Sequence, residues 1–127
     1  ILPICLGSGG LDDCLALGTS LGQALNGWTE KVLIVASSDM NHFLAADETR
    51  RLDQLAIDAV LTLDPARLYR TVRDNHISMC GVVPAVVMLQ AALERGASKC
   101  RLVGYGHSGE VNGDMSRVVG YAAMSVS

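Results

Sequence analysis

Residues 31–43, KVLIVASSDMNHF, constrain this chain more than any other stretch. Val32 to Ala36 form an aliphatic, largely β-branched run with the length of a buried strand. The run then breaks into small and polar residues, Ser37, Ser38, Asp39, Asn41 and His42. In open α/β sheets, ligands gather just beyond the carboxyl ends of strands. An acid, an amide and an imidazole delivered together off such a strand therefore read as one wall of a site. The plainer alternative is a strand-to-helix turn in which Asp39 or Asn41 caps and His42 is incidental.

The flanking segments build an α/β pattern around this stretch. Residues 1–6 read as a short buried strand ended by Gly7, Ser8, Gly9 and Gly10. This glycine cluster lacks phosphate-loop spacing, and Asp12 and Asp13 stand where an anion would sit, so it reads as a turn and cap. Leu11, Leu15, Leu21 and Leu25 then form a helical stripe that stops at Asn26 and Gly27. Strand, helix and strand in that order suggest a βαβ unit with parallel strands.

After the polar stretch, Leu52, Leu55, Ala56, Ala59, Val60 and Leu63 repeat at helical spacing. Arg50, Arg51, Asp53, Gln54 and Asp58 are placed on the opposite, solvated face. Asp64 and Pro65 predict a capped helix start, with Leu68 and Val72 inward and Arg67, Arg70 and Arg73 outward. Residues 82–93 are apolar almost all round, which predicts a buried helix packed on the sheet. Residues 101–105 and 118–126 are the remaining strands. The connection between them, GYGHSGEVNGDMSR, is long for a hairpin and is expected to be functional.

Composition narrows the function. With 127 residues, half of them hydrophobic, the chain is long enough for one domain with a real core. A net charge of −3 leaves no basic footprint for nucleic acid. No apolar run approaches the ~18–20 residues that span a bilayer, and the opening ILPICL lacks the basic start of a signal peptide. The four cysteines show neither C-x-x-C nor zinc-finger spacing, so a reduced, cytoplasmic setting is expected. Because the chain begins inside an expected strand, it reads as a piece of a longer protein.

Three segments carry residues suited to chemistry. His42 lies within three positions of Asp39, and a histidine oriented by a carboxylate can serve as a general base or a metal ligand. Cys80 precedes Gly81 at the start of the buried helix, a place that favours a thiolate as ligand or nucleophile; a buried, inert cysteine is the competing description. His76 lies four residues earlier and either approaches the same space or ends the preceding helix favourably. His107, beside Ser108, would face the same crevice if its strand ran parallel to its neighbours. A serine hydrolase is disfavoured, because Ser37 and Ser38 lack the G-x-S-x-G elbow. One cysteine and one histidine alone also fall short of a complete metal site.

VASSDMNHF, HISMCG running into an apolar helix, and the pair GYGHSGEVNGD and VVGYAAMSV together resemble the Memo family in order and spacing. In prokaryotes that family is also called AmmeMemoRadiSam system protein B. The resemblance covers the chain but only the second half of a typical member. It implies the fold of class III extradiol ring-cleaving dioxygenases: an α/β three-layer sandwich with a mostly parallel or mixed central sheet and helices on both faces. It also implies His42, with Asp39, at the acid/base position and Cys80 as a metal ligand in place of a carboxylate. Two further metal-binding histidines are then expected from a missing N-terminal half.

The metal, iron, copper or zinc, would be held only in the complete protein, and a thiolate favours the softer ions. His76, His107 and Ser108 are the substrate-binding candidates, although His107 stands where relatives often carry a small or amide residue. Two functions follow from the resemblance. One is a dioxygenase-like, metal-dependent oxidoreductase. The other is a non-catalytic adaptor whose pocket holds a peptide or small ligand. Neither a nucleic-acid nor a membrane partner is expected. As an isolated portion, the chain is also expected to expose a sheet edge that invites a homodimer.

Overall fold

The structure is a computed structural model that describes residues 1–127. Five helices and three strands follow in the order α1 (Leu11–Asn26), β1 (His42–Leu44), α2 (Ala46–Leu61), α3 (Pro65–Asp74), α4 (Val82–Glu94), β2 (Cys100–His107), α5 (Gly109–Asn112) and β3 (Val118–Val126). No helix is long and apolar enough to cross a membrane.

The helices begin and end where their punctuation places them. Asp13 accepts a hydrogen bond from the Gly10 N–H at 3.2 Å, and Gly27 caps the other end of α1. The Asp64 carboxylate accepts the Arg67 N–H at 2.9 Å ahead of Pro65, a cap worth about 1 kcal/mol. Leu68 and Val72 point inward from α3 as expected. α4 carries buried Val82, Ala85, Val86, Val87, Leu89 and Ala91. It packs closely on α1 because Gly18 and Gly22 leave room there: a Cβ on either would lie 2.5 Å from Gln90 or Glu94. Removing side chains such as Ile57, Leu68 and Leu89 from water contributes ~1.5–3 kcal/mol each.

The sheet differs from the expected one. The chain is α/β, but its three paired strands lie in the order β1-β3-β2 and are antiparallel throughout. Residues 1–6 and 32–36 join no strand ladder, so no parallel βαβ pair occurs. Strand-like composition sets a segment's conformation, but a ladder also needs a neighbour offering free N–H and C=O groups. Residues 32–36 keep the alternation of a strand, with Val32, Ile34 and Ala36 half-buried and Leu33 and Val35 exposed. The helices gather on one face of the sheet, where Tyr105, Ala122, Met124 and Val126 meet the core. Val103 and Tyr121 stand exposed. Helices on both faces are therefore not present in this chain.

A second difference lies in α2. Asp53, expected on the solvated face, is completely buried. Thr49, Asp53, Ile57 and Val60 form a second buried stripe beside Leu52, Ala56 and Ala59. That stripe lies under the sheet, where Gly120 leaves space for the Asp53 carboxylate.

Candidate metal centre

The site forms where the polar end of residues 31–43 meets the turn between α3 and α4. Phe43 adopts a φ of 64°, in the left-handed region, and the β1–β3 register shifts between His42 and Leu44. Irregularities of this kind re-aim side chains. Here His42 leaves the strand to face residues 78–80. Its backbone N–H donates to Ser78 Oγ at 2.7 Å, and its ring Nδ1 lies 2.7 Å from the Ser78 carbonyl oxygen. A carbonyl can only accept, so this contact assigns the neutral ring's proton to Nδ1 and leaves a lone pair on Nε2.

Nε2 lies 3.6 Å from Asp39 Oδ2. Cys80 Sγ accepts the Asp39 backbone N–H at 3.2 Å. One ligand atom each from Asp39, His42 and Cys80 therefore lies within 4.8 Å of the others. The cluster opens to the surface, with Cys80 exposed and Asp39 and His42 half-buried. Nitrogen, sulfur and carboxylate oxygen together form a mixed donor set suited to a borderline or soft divalent ion rather than to calcium or magnesium. The unprotonated Nε2 is equally suited to accept a proton from a bound molecule.

The chain matches the family model of Memo-like proteins over residues 1–125. It belongs to the Memo family. A MEMO1 family protein of Methanosarcina acetivorans is 39% identical over 126 residues, covering 99% of this chain and 47% of the relative. One from Methanococcoides burtonii is 40% identical over 126 residues, 99% of this chain and 47% of the relative. One from Aquifex aeolicus is 41% identical over 124 residues, 98% of this chain and 46% of the relative. The Memo chain thus spans about half the length of the curated relatives it matches.

The other candidate residues of the Memo chain lie outside this cluster. His76 is exposed at the end of α3 with a φ of 53°. Its N–H donates to Arg73 O while the Ile77 N–H donates to Val72 O, the pairing that closes a helix through a left-handed residue. Ser108 spends its hydroxyl accepting the Val119 N–H at 3.0 Å. His107 is buried opposite Gly120 in the antiparallel β2–β3 pair, with Nε2 3.6 Å from Glu110 and Nδ1 without a partner. The parallel neighbours that would have brought it to the crevice are absent.

Reading for motifs missed the buried network behind the Memo cluster. Asn41 Oδ1 accepts from Ser78 Oγ at 3.1 Å, and the Asn41 backbone N–H donates to Asp53 Oδ1 at 2.7 Å. Tyr105 donates its hydroxyl to Asp53 Oδ2 at 2.8 Å. Asn41 thereby ties α2 to the turn that carries Ser78 and Cys80. Burial raises the Asp53 carboxyl above the usual range, against the hydrogen bonds from Asn41 and Tyr105 that lower it. Burial also raises the Tyr105 phenol, helped by its bond to Asp53. The available signal was the four-residue spacing of Thr49, Asp53 and Ile57, three residue types that share a stripe only when the polar ones are satisfied inside.

Proposed function

We propose that this chain carries part of the metal centre of a Memo-family, metal-dependent redox protein related to the non-haem extradiol dioxygenases. The observation that carries the reading is the convergence of Asp39, His42 and Cys80 donor atoms within 4.8 Å. Cys80 would supply a thiolate ligand, and a bound iron, copper or zinc ion would supply Lewis acidity or electron transfer. His42 would hold or move a proton at Nε2, its ring fixed by the Ser78 carbonyl. Asp39 would stabilise the imidazolium once that proton has been taken up.

With His42 Nε2 and Asp39 serving the proton, Cys80 is the metal ligand that this chain would provide, and two histidines from the other half of a full-length member would complete the set. The same reading makes this chain part of a three-layer sandwich. Exposed Leu33, Val35, Val103 and Tyr121 support it, as apolar residues that a further layer would cover.

Metal analysis of the complete protein, parent against Cys80→Ala, tests the reading. The parent should retain about one ion and the variant should lose at least ~10-fold in affinity. Equal metal content in the two would reject it. The exposed mouth at Cys80 favours a second reading, in which the pocket holds a peptide or small ligand without catalysis. Partner capture that survives His42→Ala would support that alternative.

A further inference from the structure

Phe43 and Arg117 form a pair at the edge of the donor cluster that neither the metal nor the proton chemistry uses. The Arg117 guanidinium carbon lies 4.7 Å from the centroid of the Phe43 ring, and that centroid lies 5.6 Å from the centre of the His42 ring. Arg117 is exposed, and no acidic side chain pairs with its guanidinium. Arg50 also stacks on an aromatic ring, that of Tyr105, but meets Glu110 as well. Arg73 stacks on Tyr69 of its own helix. Arg117 is therefore the stacked cation that borders His42 and has no carboxylate.

The backbone holds the pair in place. Arg117 follows a turn in which Asp114 Oδ1 accepts the Ser116 N–H at 2.9 Å, and the Ala46 N–H donates to Met115 O at 2.9 Å just past β1. Val118 then pairs with Leu44. Phe43 has a φ of 64°, which costs a side chain ~1 kcal/mol relative to glycine. Glycine would make the same bend without that cost, and a ring left 58% exposed gains little from burial. Neither the bend nor the core accounts for the phenyl group, and strained residues of this kind cluster at ligand sites. A guanidinium held over a ring keeps its N–H fork free for a carboxylate.

We infer that Arg117 and Phe43 anchor the molecule that meets His42, and that this molecule is a small carboxylate with an apolar body. Its carboxylate takes the Arg117 fork, its body lies along the exposed Phe43 ring, and its far end reaches His42 Nε2. The inference rests on the reading that His42 exchanges a proton with a bound molecule, and adds the charge and shape of that molecule. Orientation follows from charge. Asp39 Oδ2, 3.6 Å from His42 Nε2, repels a second carboxylate at that end and directs it to Arg117. Size follows from spacing, because the Phe43 ring bridges the guanidinium and the imidazole. A molecule built on a single ring spans the two.

The test uses the complete protein with chelator present, so that binding is read without metal. The probes are benzoate, its neutral amide benzamide, and acetate, each titrated by NMR. Benzoate should bind at least ~10-fold more tightly than either of the others, because a charge-assisted pair and a covered ring each contribute about that factor. It should also shift the His42 ring resonances. Arg117→Gln should remove the advantage over benzamide. Phe43→Gly keeps the positive φ without strain and should remove the advantage over acetate. Arg101→Gln, at an exposed arginine on β2, should change neither.

Equal binding of benzoate and benzamide overturns the inference, as does a preference for benzoate that survives Arg117→Gln. So does an advantage over acetate that survives Phe43→Gly, or benzoate binding that leaves the His42 resonances unmoved. Cys80→Ala separates the two proposals. Equal metal content in parent and variant rejects the metal centre, while discrimination among the probes in the chelated protein keeps the anchor. Metal binding that depends on Cys80, without that discrimination, rejects the anchor alone.

Discussion

Asp53 occupies the space that the missing side chain of Gly120 leaves under the sheet. A Cβ at position 120 would overlap the Asp53 Oδ2 and crowd Thr49 at 3.3 Å. Neither partner has anywhere to move, because Asp53 is held by the Asn41 N–H and the Tyr105 hydroxyl. Gly120→Ala should therefore destabilise the fold by about 2–4 kcal/mol, near the upper end for a single substitution. Thermal unfolding of the variant measures this, and a change within the range of ordinary surface substitutions would show that the sheet can shift away from α2.

The raised Asp53 carboxyl makes stability depend on pH. An acid with a folded pKa above its unfolded value holds more protons folded than unfolded, so its contribution is present at low pH. That contribution is lost as pH rises through the folded value. Asp53→Asn removes the titration while keeping an acceptor for Asn41. The stability of the variant relative to the parent should rise with pH from about the ordinary carboxylate value and level off above the raised one. Urea unfolding of both proteins across that interval reads the difference directly. Parallel curves would mean that Asp53 titrates normally.

Local structure was legible where side chains speak to their own backbone. Asp64 ahead of Pro65, Asn26 and Gly27, and the apolar run of α4 each act within a turn or two, and each element formed where expected. That His42 and Cys80 belong to one site was implied by the family resemblance alone; composition and spacing left them as separate candidates, and their proximity depends on how residues 37–42 meet the start of α4. Pairing was not legible. Residues 32–36 have strand composition, yet which edge they meet depends on backbone groups that composition does not encode. Asp53 was misplaced for a related reason: a carboxylate on a helix reads as solvated until the Asn41 N–H and the Tyr105 hydroxyl are known to meet it.

His76 is held in a conformation that suits glycine. Its φ of 53° closes α3, with the His76 and Ile77 N–H groups donating to Arg73 O and Val72 O. A side chain in the left-handed region costs ~1 kcal/mol relative to glycine. His76→Gly should therefore raise stability by up to about 1 kcal/mol. It should leave metal binding unchanged, because His76 lies outside the donor cluster. Denaturant midpoints and a zinc titration of the same preparation separate the two effects. A loss of metal affinity would place His76 in the site.

Gly81 is the point at which the two walls of the site touch. A Cβ there would lie 2.5 Å from Ser38 Cβ and 2.6 Å from Ser37 O, although the backbone, with φ of −101°, is one that any residue adopts. The Gly81 N–H also donates to Ser38 Oγ at 2.8 Å, locking residues 37–39 to the start of α4. Gly81→Ala must push these segments apart, and the separation falls on the Asp39 N–H to Cys80 Sγ bond one residue away on each side. Zinc affinity of the complete protein should drop at least ~10-fold, since small displacements of supporting groups cost that much at metal sites. Gly18→Ala supplies the comparison: its Cβ would clash with Gln90 at the contact between α1 and α4, so it should lower stability and spare the metal. If the two variants lose metal in proportion to stability alone, Gly81 serves packing and the site does not depend on its close approach.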